Sequence, residues 1–233
     1  MGHALEIRPQ QSVVLAAAAQ KPFTTTQKLG TISGNNYDKP VKRIQTSLPG
    51  IILLQPEVKE DQRGFFFESY NERQFADLGV SVRFVQDNHS RSSRGTLRGL
   101  HYQLTHPQAK LCRVIQGEVL DVAVDIRRGS PTFGSYECVV LTADNRLQIF
   151  IPAGFAHGFL VLSESAEFLY KCSDFYYKED ERGILWDDPE INIEWGTKTP
   201  ILSAKDRQQR RLSAIPADDL PIFQDPNGLL PNR

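Results

Sequence analysis

The chain has 233 residues, about one and a half times the usual allotment per domain, which suits one domain plus an extension. Hydrophobic residues make up 40% and charged residues 24%, a composition that excludes disordered, collagenous and membrane classes. Lys+Arg is 27 against Asp+Glu 28, a net charge of −1; there is no basic excess to collect phosphate backbones, which argues against a nucleic-acid partner. A small phosphorylated ligand stays open, because a few local arginines suffice for it.

Three cysteines, Cys112, Cys138 and Cys172, form no complete set of pairs and no C-x-x-C. They read as small apolar residues in a reducing compartment, so the expected location is cytoplasmic. No apolar run is long enough to span a bilayer, and no membrane partner is expected. Val13 to Ala19, preceded by Glu6 and Arg8, is short for a signal-peptide core and lacks clearly basic flanks.

In chain order, residues 1–47 are rich in Gln, Thr, Ala, Lys and Asn, with Phe23 and Tyr37 as their aromatics. Such a stretch buries too little apolar surface to offset its ordering entropy and reads as a flexible extension. The domain is expected over 48–223. Short apolar or alternating runs follow at Ile51–Leu54, Gly64–Glu68, Val80–Val85, Leu111–Ile115, Val119–Ile126, Tyr136–Leu141, Leu147–Ile151, Gly158–Leu162 and Glu167–Cys172. Turn residues separate them, and the spacing predicts many short strands in a sandwich or small barrel. Within Val119–Ile126, Val122, Val124 and Ile126 fall on one face, Asp121, Ala123 and Asp125 on the other. Asn71 to Leu78 predicts a short helix, with Asn71 as N-cap and Gly79 as stop. A second helical start is expected at Ser203, and residues 224–233 read as a tail.

Two segments place polar residues among apolar strands. Gly95 to Gln103, followed by Lys110 and Gly117, and Pro152 to His157 resemble the two cupin motifs. That resemblance implies an all-β fold, a cupin-type double-sheet jelly-roll barrel with a few short helices. Gly95 and His101 keep the first motif's spacing, but Gln103 stands where its second His belongs and Lys110 where its Glu belongs. Pro152, Gly154 and His157 match the second motif, while Val161 replaces its usual Asn. A metal cupin needs three His and a Glu. An ammonium in that set repels a cation, so neither a metal nor another cofactor is expected.

A His, a Lys and a carboxylate without a metal suit proton abstraction beside a carbonyl. The His is general base, a carboxylate fixes its tautomer, and the Lys stabilises the enolate. A phenol on the far face would return the proton and epimerise the carbon.

Longer blocks narrow the reading. Arg63 to Tyr70, Phe84 to Ser90, Leu97 to Gln103, Gly117 to Asp125, Ser130 to Gly134, Ile151 to Phe159, Glu167 to Lys171, Ile184 to Pro189 and Leu202 to Asp206 together resemble the dTDP-4-dehydrorhamnose 3,5-epimerases. The resemblance runs from about Ile51 to Asp206 and leaves the first 47 residues without a counterpart. It implies that His101 is the base for C3 and C5 of a dTDP-4-keto-6-deoxy sugar, Asp206 its carboxylate partner, Lys110 the enolate stabiliser and Tyr170 the acid on the far face. On spacing alone, Ser203-x-x-Asp206 is more often a helix-capping box, and a strand Tyr more often covers a core.

By position, Arg63, Gln86, Asn88 and Arg98 resemble the residues that hold the diphosphate and its neighbours, a task that suits arginine's planar fork. Asp87 and His157 fall among the substrate-binding positions. Glu68 and Tyr176 resemble the groups that contact and stack on thymine, a part of the site that the family builds with a second subunit, so a homodimer is expected. Glu181 and Lys205 fall at further binding positions, although the loop from Tyr177 to Glu181 departs from the family pattern. Asp121 either orients His101, lines the pocket, or is a structural strand residue. Alternatives are an epimerase acting at C3 or C5 alone, a non-catalytic sugar-nucleotide-binding cupin and, weakest, a metal-dependent oxygenase.

Overall fold

The computed structural model describes residues 41–224, together with a two-residue strand at Val13–Val14. Of the expected extension and tail, residues 1–40 apart from that strand and residues 225–233 lie outside the described residues. Among the described residues, fourteen strands occur in chain order: β1 (Val13–Val14), β2 (Lys42–Ile44), β3 (Ile52–Gln55), β4 (Lys59–Asp61), β5 (Gly64–Phe66), β6 (Gln86–Ser93), β7 (Leu97–Gln103), β8 (Lys110–Gln116), β9 (Glu118–Asp125), β10 (Tyr136–Thr142), β11 (Gln148–Ile151), β12 (Phe155–Val161), β13 (Ser165–Cys172) and β14 (Glu181–Gly183). They form two six-stranded sheets, ordered β1-β10-β9-β12-β7-β14 and β2-β3-β11-β8-β13-β6, with β4 and β5 as a separate ribbon. This is the cupin-type double-sheet barrel. Lys42–Ile44 lies within the stretch read as flexible, yet it pairs with β3, so ordered chain begins before residue 47.

Period-two alternation builds the layers. Leu53, Cys112, Val114, Ile149, Ile151 and Phe168 from one sheet meet Val119, Ala123, Val139, Leu141, Phe159 and Val161 from the other in the central core. The outer face of the first sheet, with Leu100, Val122, Val124 and Leu160, is covered by Trp195, Leu212 and Leu220 of the C-terminal segment. The outer face of the second, with Ile52, Leu54, Leu111 and Phe150, is covered by Phe75 and Val80. Strands buried on both faces explain the near-continuous apolar runs.

Phe75 sits on the one α-helix among the described residues, α1 (Glu72–Asp77). Asn71 caps it as predicted, its Oδ1 accepting from the Gln74 N–H at 3.3 Å. Gly79 follows at φ +99°, a left-handed conformation that glycine adopts without strain. Two expectations fail. Val80–Val85 is not a strand; it carries Val80 into the helix-side core, and pairing begins at Gln86. At Ser203 only a 3₁₀ turn forms, Asp206–Gln208, because Asp206 is drawn inward.

All three cysteines are free and buried. No helix among the described residues is long and apolar enough to cross a membrane.

Candidate active site

The barrel interior is apolar at one end and opens at the other into a cavity of about 680 Å³, lined among others by Arg98, His101, Lys110, His157, Tyr170, Tyr176, Glu181, Lys205 and Asp206. The walls come from both sheets. His101 and His157 are direct cross-strand partners on β7 and β12. Two residues further along β12, Phe159 faces Arg98, which is three residues from His101. The extra residue is a β-bulge, and it turns both Arg98 and His101 toward the cavity where strict alternation would separate them. Glycines make the bulge possible. A Cβ at Gly99 would meet Gly158 Cα at 2.5 Å, and one at Gly158 would meet the Arg98 carbonyl oxygen at 2.6 Å. Lys110 and Tyr170 enter from the second sheet, on neighbouring strands β8 and β13, with the Lys110 ammonium 6.0 Å from the Tyr170 ring centre.

His101 Nε2 lies 2.6 Å from Asp206 Oδ1. Asp206 is 3% exposed. Burial pushes its carboxyl up, but the hydrogen bond and charge of His101, with the Ser203 hydroxyl, outweigh that and hold it below the usual carboxylate range. It is therefore charged, and its partner nitrogen carries the proton. The other ring nitrogen, Nδ1, lies 3.8 Å from Glu181 Oε1. The Ser203 Oγ accepts from the Asp206 N–H at 3.1 Å, so the capping interaction and the dyad coexist: the turn places the carboxylate that the His uses.

Glu181 joins the cavity floor to its rim. Its Oε2 is 2.6 Å from Lys205 Nζ and accepts from the Tyr176 hydroxyl at 2.8 Å. Burial raises its carboxyl, and Lys205, Tyr176 and His101 together bring it below its ordinary value. Burial pushes the Tyr170 phenol well above its ordinary value, so it is a proton donor at neutral pH.

A second pair completes the wall. His157 Nε2 donates to Asp121 Oδ2 at 2.9 Å. Burial lowers the His157 pKa against the opposing pull of Asp121, so the ring is neutral. Asp121 thus orients His157, not His101 as one of its expected roles had it, because Ala123, not Asp121, stands opposite His157 and the aspartate reaches it from the Phe159 position.

The remaining expected residues divide. Arg98 lines the cavity, with its Nε donating to Ser92 Oγ at 3.0 Å. Gln86 and Asn88 alternate on the inward face of β6; Gln86 Oε1 accepts from the Tyr176 N–H at 2.9 Å and so fixes the rim loop. Asp87, between them, points to the opposite face and pairs with Lys171. Arg63 is on the β4–β5 ribbon, ion-paired to Asp61, and Glu68 lies beside α1 with Asn71 and Gln74. Arg63, Glu68, Gln86, Asp87 and Asn88 do not line this cavity. Sequence reasoning missed Ser90, Thr96, Ile201 and Leu202 in the wall. It also missed the task of Gln103, which donates to the His106 and Phe175 carbonyls and accepts from the Tyr177 N–H. The side chain at the lost metal-ligand position is a clamp on the rim loop.

A family profile described as dTDP-4-dehydrorhamnose 3,5-epimerase matches residues 45–214. A Pseudomonas aeruginosa protein of that name is 59% identical over 170 residues, covering 72% of this chain and 94% of its own. The solved Legionella pneumophila dTDP-6-deoxy-D-glucose-3,5-epimerase, in complex with dTDP-4-keto-L-rhamnose, superposes with a TM-score of 0.78 at 47% identity over 79% of this chain and 100% of its own. A 3'-monoepimerase from Streptomyces bikiniensis in complex with dTDP-quinovose reaches a TM-score of 0.71 at 33% identity, over 76% of this chain and 91% of its own. A match across most of the barrel, with the dyad and phenol in the cavity it encloses, gives the assignment: the chain belongs to the dTDP-4-dehydrorhamnose 3,5-epimerase family.

Proposed function

We propose that this protein converts dTDP-4-dehydro-6-deoxy-D-glucose to dTDP-4-dehydro-L-rhamnose by inverting C3 and C5 beside the 4-keto group, in dTDP-L-rhamnose biosynthesis. One observation carries the reading: a His–Asp dyad on one sheet's side and a protonated Tyr170 on the other sheet's side face the same cavity. His101 Nδ1 removes the proton on the carbon next to the carbonyl. The electron pair moves to the carbonyl oxygen as an enolate, whose charge the Lys110 ammonium stabilises. The imidazolium formed is held by the Asp206 carboxylate. Tyr170 then gives its proton to the opposite face of the same carbon, which inverts it; His101 releases the abstracted proton to solvent and Tyr170 regains one from it. Repetition at the second carbon flanking the ketone completes the product.

His157, held neutral by burial beside Asp121, keeps its single ring proton on Nε2, so its other nitrogen only accepts a hydrogen bond. Arg98, Lys205 and Tyr176 line the cavity, which supports reading them as contacts to the diphosphate and base. Arg63, Glu68 and Asp87 serve nucleotide binding by family position only, and the thymine end with Glu68 and Tyr176 would be completed by a second subunit of a homodimer. The exposed Phe65 and Phe66 on the ribbon that carries Arg63 support that arrangement. The three free, buried cysteines support a reducing, cytoplasmic setting. On the same reading, the domain runs to residue 223, and its start moves from residue 48 back to β2 at Lys42.

The monoepimerase relative favours one rival, epimerisation at a single carbon. Incubation with the 4-keto sugar nucleotide in D2O separates the two. Deuterium at both C3 and C5 with inverted product is expected; deuterium at one carbon assigns the single-site activity, and none at either overturns the enzymatic reading.

A further inference from the structure

Deeper in the barrel, behind the sugar cavity, lies a second cluster. Cys112 on β8, Asp121 on β9 and His157 on β12 each present one donor atom, and all three atoms lie within 4.8 Å of one another. Strands from both sheets bring them together. Cys112 and Asp121 are 0% exposed and His157 7%. Asp121 Oδ2 is used by His157, but its Oδ1 is buried with no hydrogen-bond partner. An unsatisfied buried carboxylate oxygen is costly, and a cation would satisfy it. A thiolate, an imidazole and a carboxylate form a donor set that suits Zn²⁺ and disfavours the hard ions Mg²⁺ and Ca²⁺.

We propose that Cys112, Asp121 and His157 form a Zn²⁺ site in the barrel interior, whose occupancy inhibits the enzyme. His157 lines the cavity, so an ion can enter from there and a water can fill the fourth coordination position. The ion takes His157 Nε2 away from its hydrogen bond to Asp121. The imidazole then turns its other nitrogen to carry the ring proton, and the cavity wall loses the orientation that substrate meets. The thiol proton leaves to solvent through the cavity. Two anionic donors offset the ion's charge, while the Lys110 ammonium, on the same strand as Cys112, opposes it. That opposition makes the site reversible. It shares only His157 with the cupin metal positions, and Lys110 stands where the cupin carboxylate would be.

The inhibitory half rests on the proposed epimerase activity; zinc binding does not, so the two are measured separately. The full chain is titrated with ZnCl2 by calorimetry and checked for bound zinc by elemental analysis, and proton exchange into the 4-keto sugar nucleotide is followed in parallel. One zinc per chain is expected, with exchange lost in proportion and restored by EDTA. Altering residues that merely support ligands weakens metal sites by about 10–100-fold, so loss of a direct ligand costs at least that. Cys112→Ala and the more isosteric Cys112→Ser should each lose zinc affinity to that extent and keep metal-free exchange, which also reports folding. Cys172→Ala should bind zinc as the wild type does. Absence of stoichiometric zinc, or wild-type zinc affinity in a folded Cys112 variant, overturns the site. Stoichiometric zinc with undiminished exchange overturns the inhibition, and a metal-free protein without exchange points instead to failure of the epimerase reading.

Discussion

Replacing Asp206 with Asn removes one negative charge and leaves the side-chain shape in place. The pair it disrupts is short, 2.6 Å from His101 Nε2 to Asp206 Oδ1, and the aspartate is 3% exposed. When His101 takes a proton, positive charge appears on the ring. At a charge separation of about 4 Å and an effective dielectric of about 20, the attraction is about 4 kcal/mol. The hydrogen bond to a charged group contributes about 1.5–3 kcal/mol net. These figures describe one interaction and do not add, so the variant loses about 2–4 kcal/mol of transition-state stabilisation. That is roughly 30- to 900-fold in kcat. The Ser203 contact is to the Asp206 backbone N–H and survives the change, so the turn keeps its place. The assay is deuterium incorporation at C3 and C5, with dTDP binding measured by calorimetry on the same sample. The rate should fall by the stated factor while dTDP affinity holds. A wild-type rate in the variant would refute the dyad, and an equal loss of dTDP affinity would refute the claim that Asp206 acts through His101.

Tyr170→Phe should retain deuterium exchange from the His101 face but form epimerised product about 10²–10⁴-fold more slowly; inversion at the wild-type rate, read by NMR, removes Tyr170 as the acid. Gly158→Ala places a Cβ 2.6 Å from the Arg98 carbonyl oxygen and 3.0 Å from Gly99 Cα, overpacking that should cost about 1–3 kcal/mol in urea unfolding and lower exchange by displacing His101; an unchanged midpoint would show that β7 and β12 can part. For Asp180, burial raises the carboxyl, but the His106 and Thr105 backbone N–H groups and Arg182 together hold it at about 2, below its ordinary 3.8. A folded pKa below the unfolded one stabilises at pH above the unfolded value, and that contribution is lost as pH falls through the folded value. Stability on the order of 2 kcal/mol should therefore disappear between about pH 4 and pH 2. Asp180→Asn should flatten that decline in urea midpoints, and a decline of unchanged size in the variant would assign it to other carboxylates.

The apolar part of the barrel was legible because burial on both faces leaves a run that few other arrangements produce. β8, β9, β10 and β13 fall within a residue or two of the expected runs at Leu111–Ile115, Val119–Ile126, Tyr136–Leu141 and Glu167–Cys172. β6 and β7 were not legible as strands. In Gln86–Ser93 the alternate residues Gln86, Asn88 and Ser90 point inward while Asp87, His89 and Arg91 point to solvent. Both faces are polar, so the hydrophobic period that marks a strand is absent, and the nearest apolar run, Val80–Val85, drew the assignment instead. Its register is set by eight cross-strand pairs with β13, which single-sequence patterning does not contain.

The site shows the same division in sharper form. His101, Lys110, Tyr170 and Asp206 could be named because motif position carries identity, but what each touches depends on strand pairing. The bulge opposite His157 and Phe159 decides that Arg98 and His101 share a face, and strict alternation from the sequence would have put them on opposite ones. Asp121 illustrates the limit. Its alternation with Ala123 correctly sends it inward, yet choosing between His101 and His157 as its partner requires knowing that β9 pairs with β12 and not with β7. Once that order is fixed, the barrel holds two His–Asp pairs with different tasks. The Asp206 pair ends at a rim turn and places its histidine next to the open cavity, where a proton can be taken and released. The Asp121 pair is enclosed within the core, where burial outweighs the aspartate and keeps His157 neutral. Separation of the base from the neutral histidine thus follows from depth in the barrel, since the residue types in the two pairs are the same.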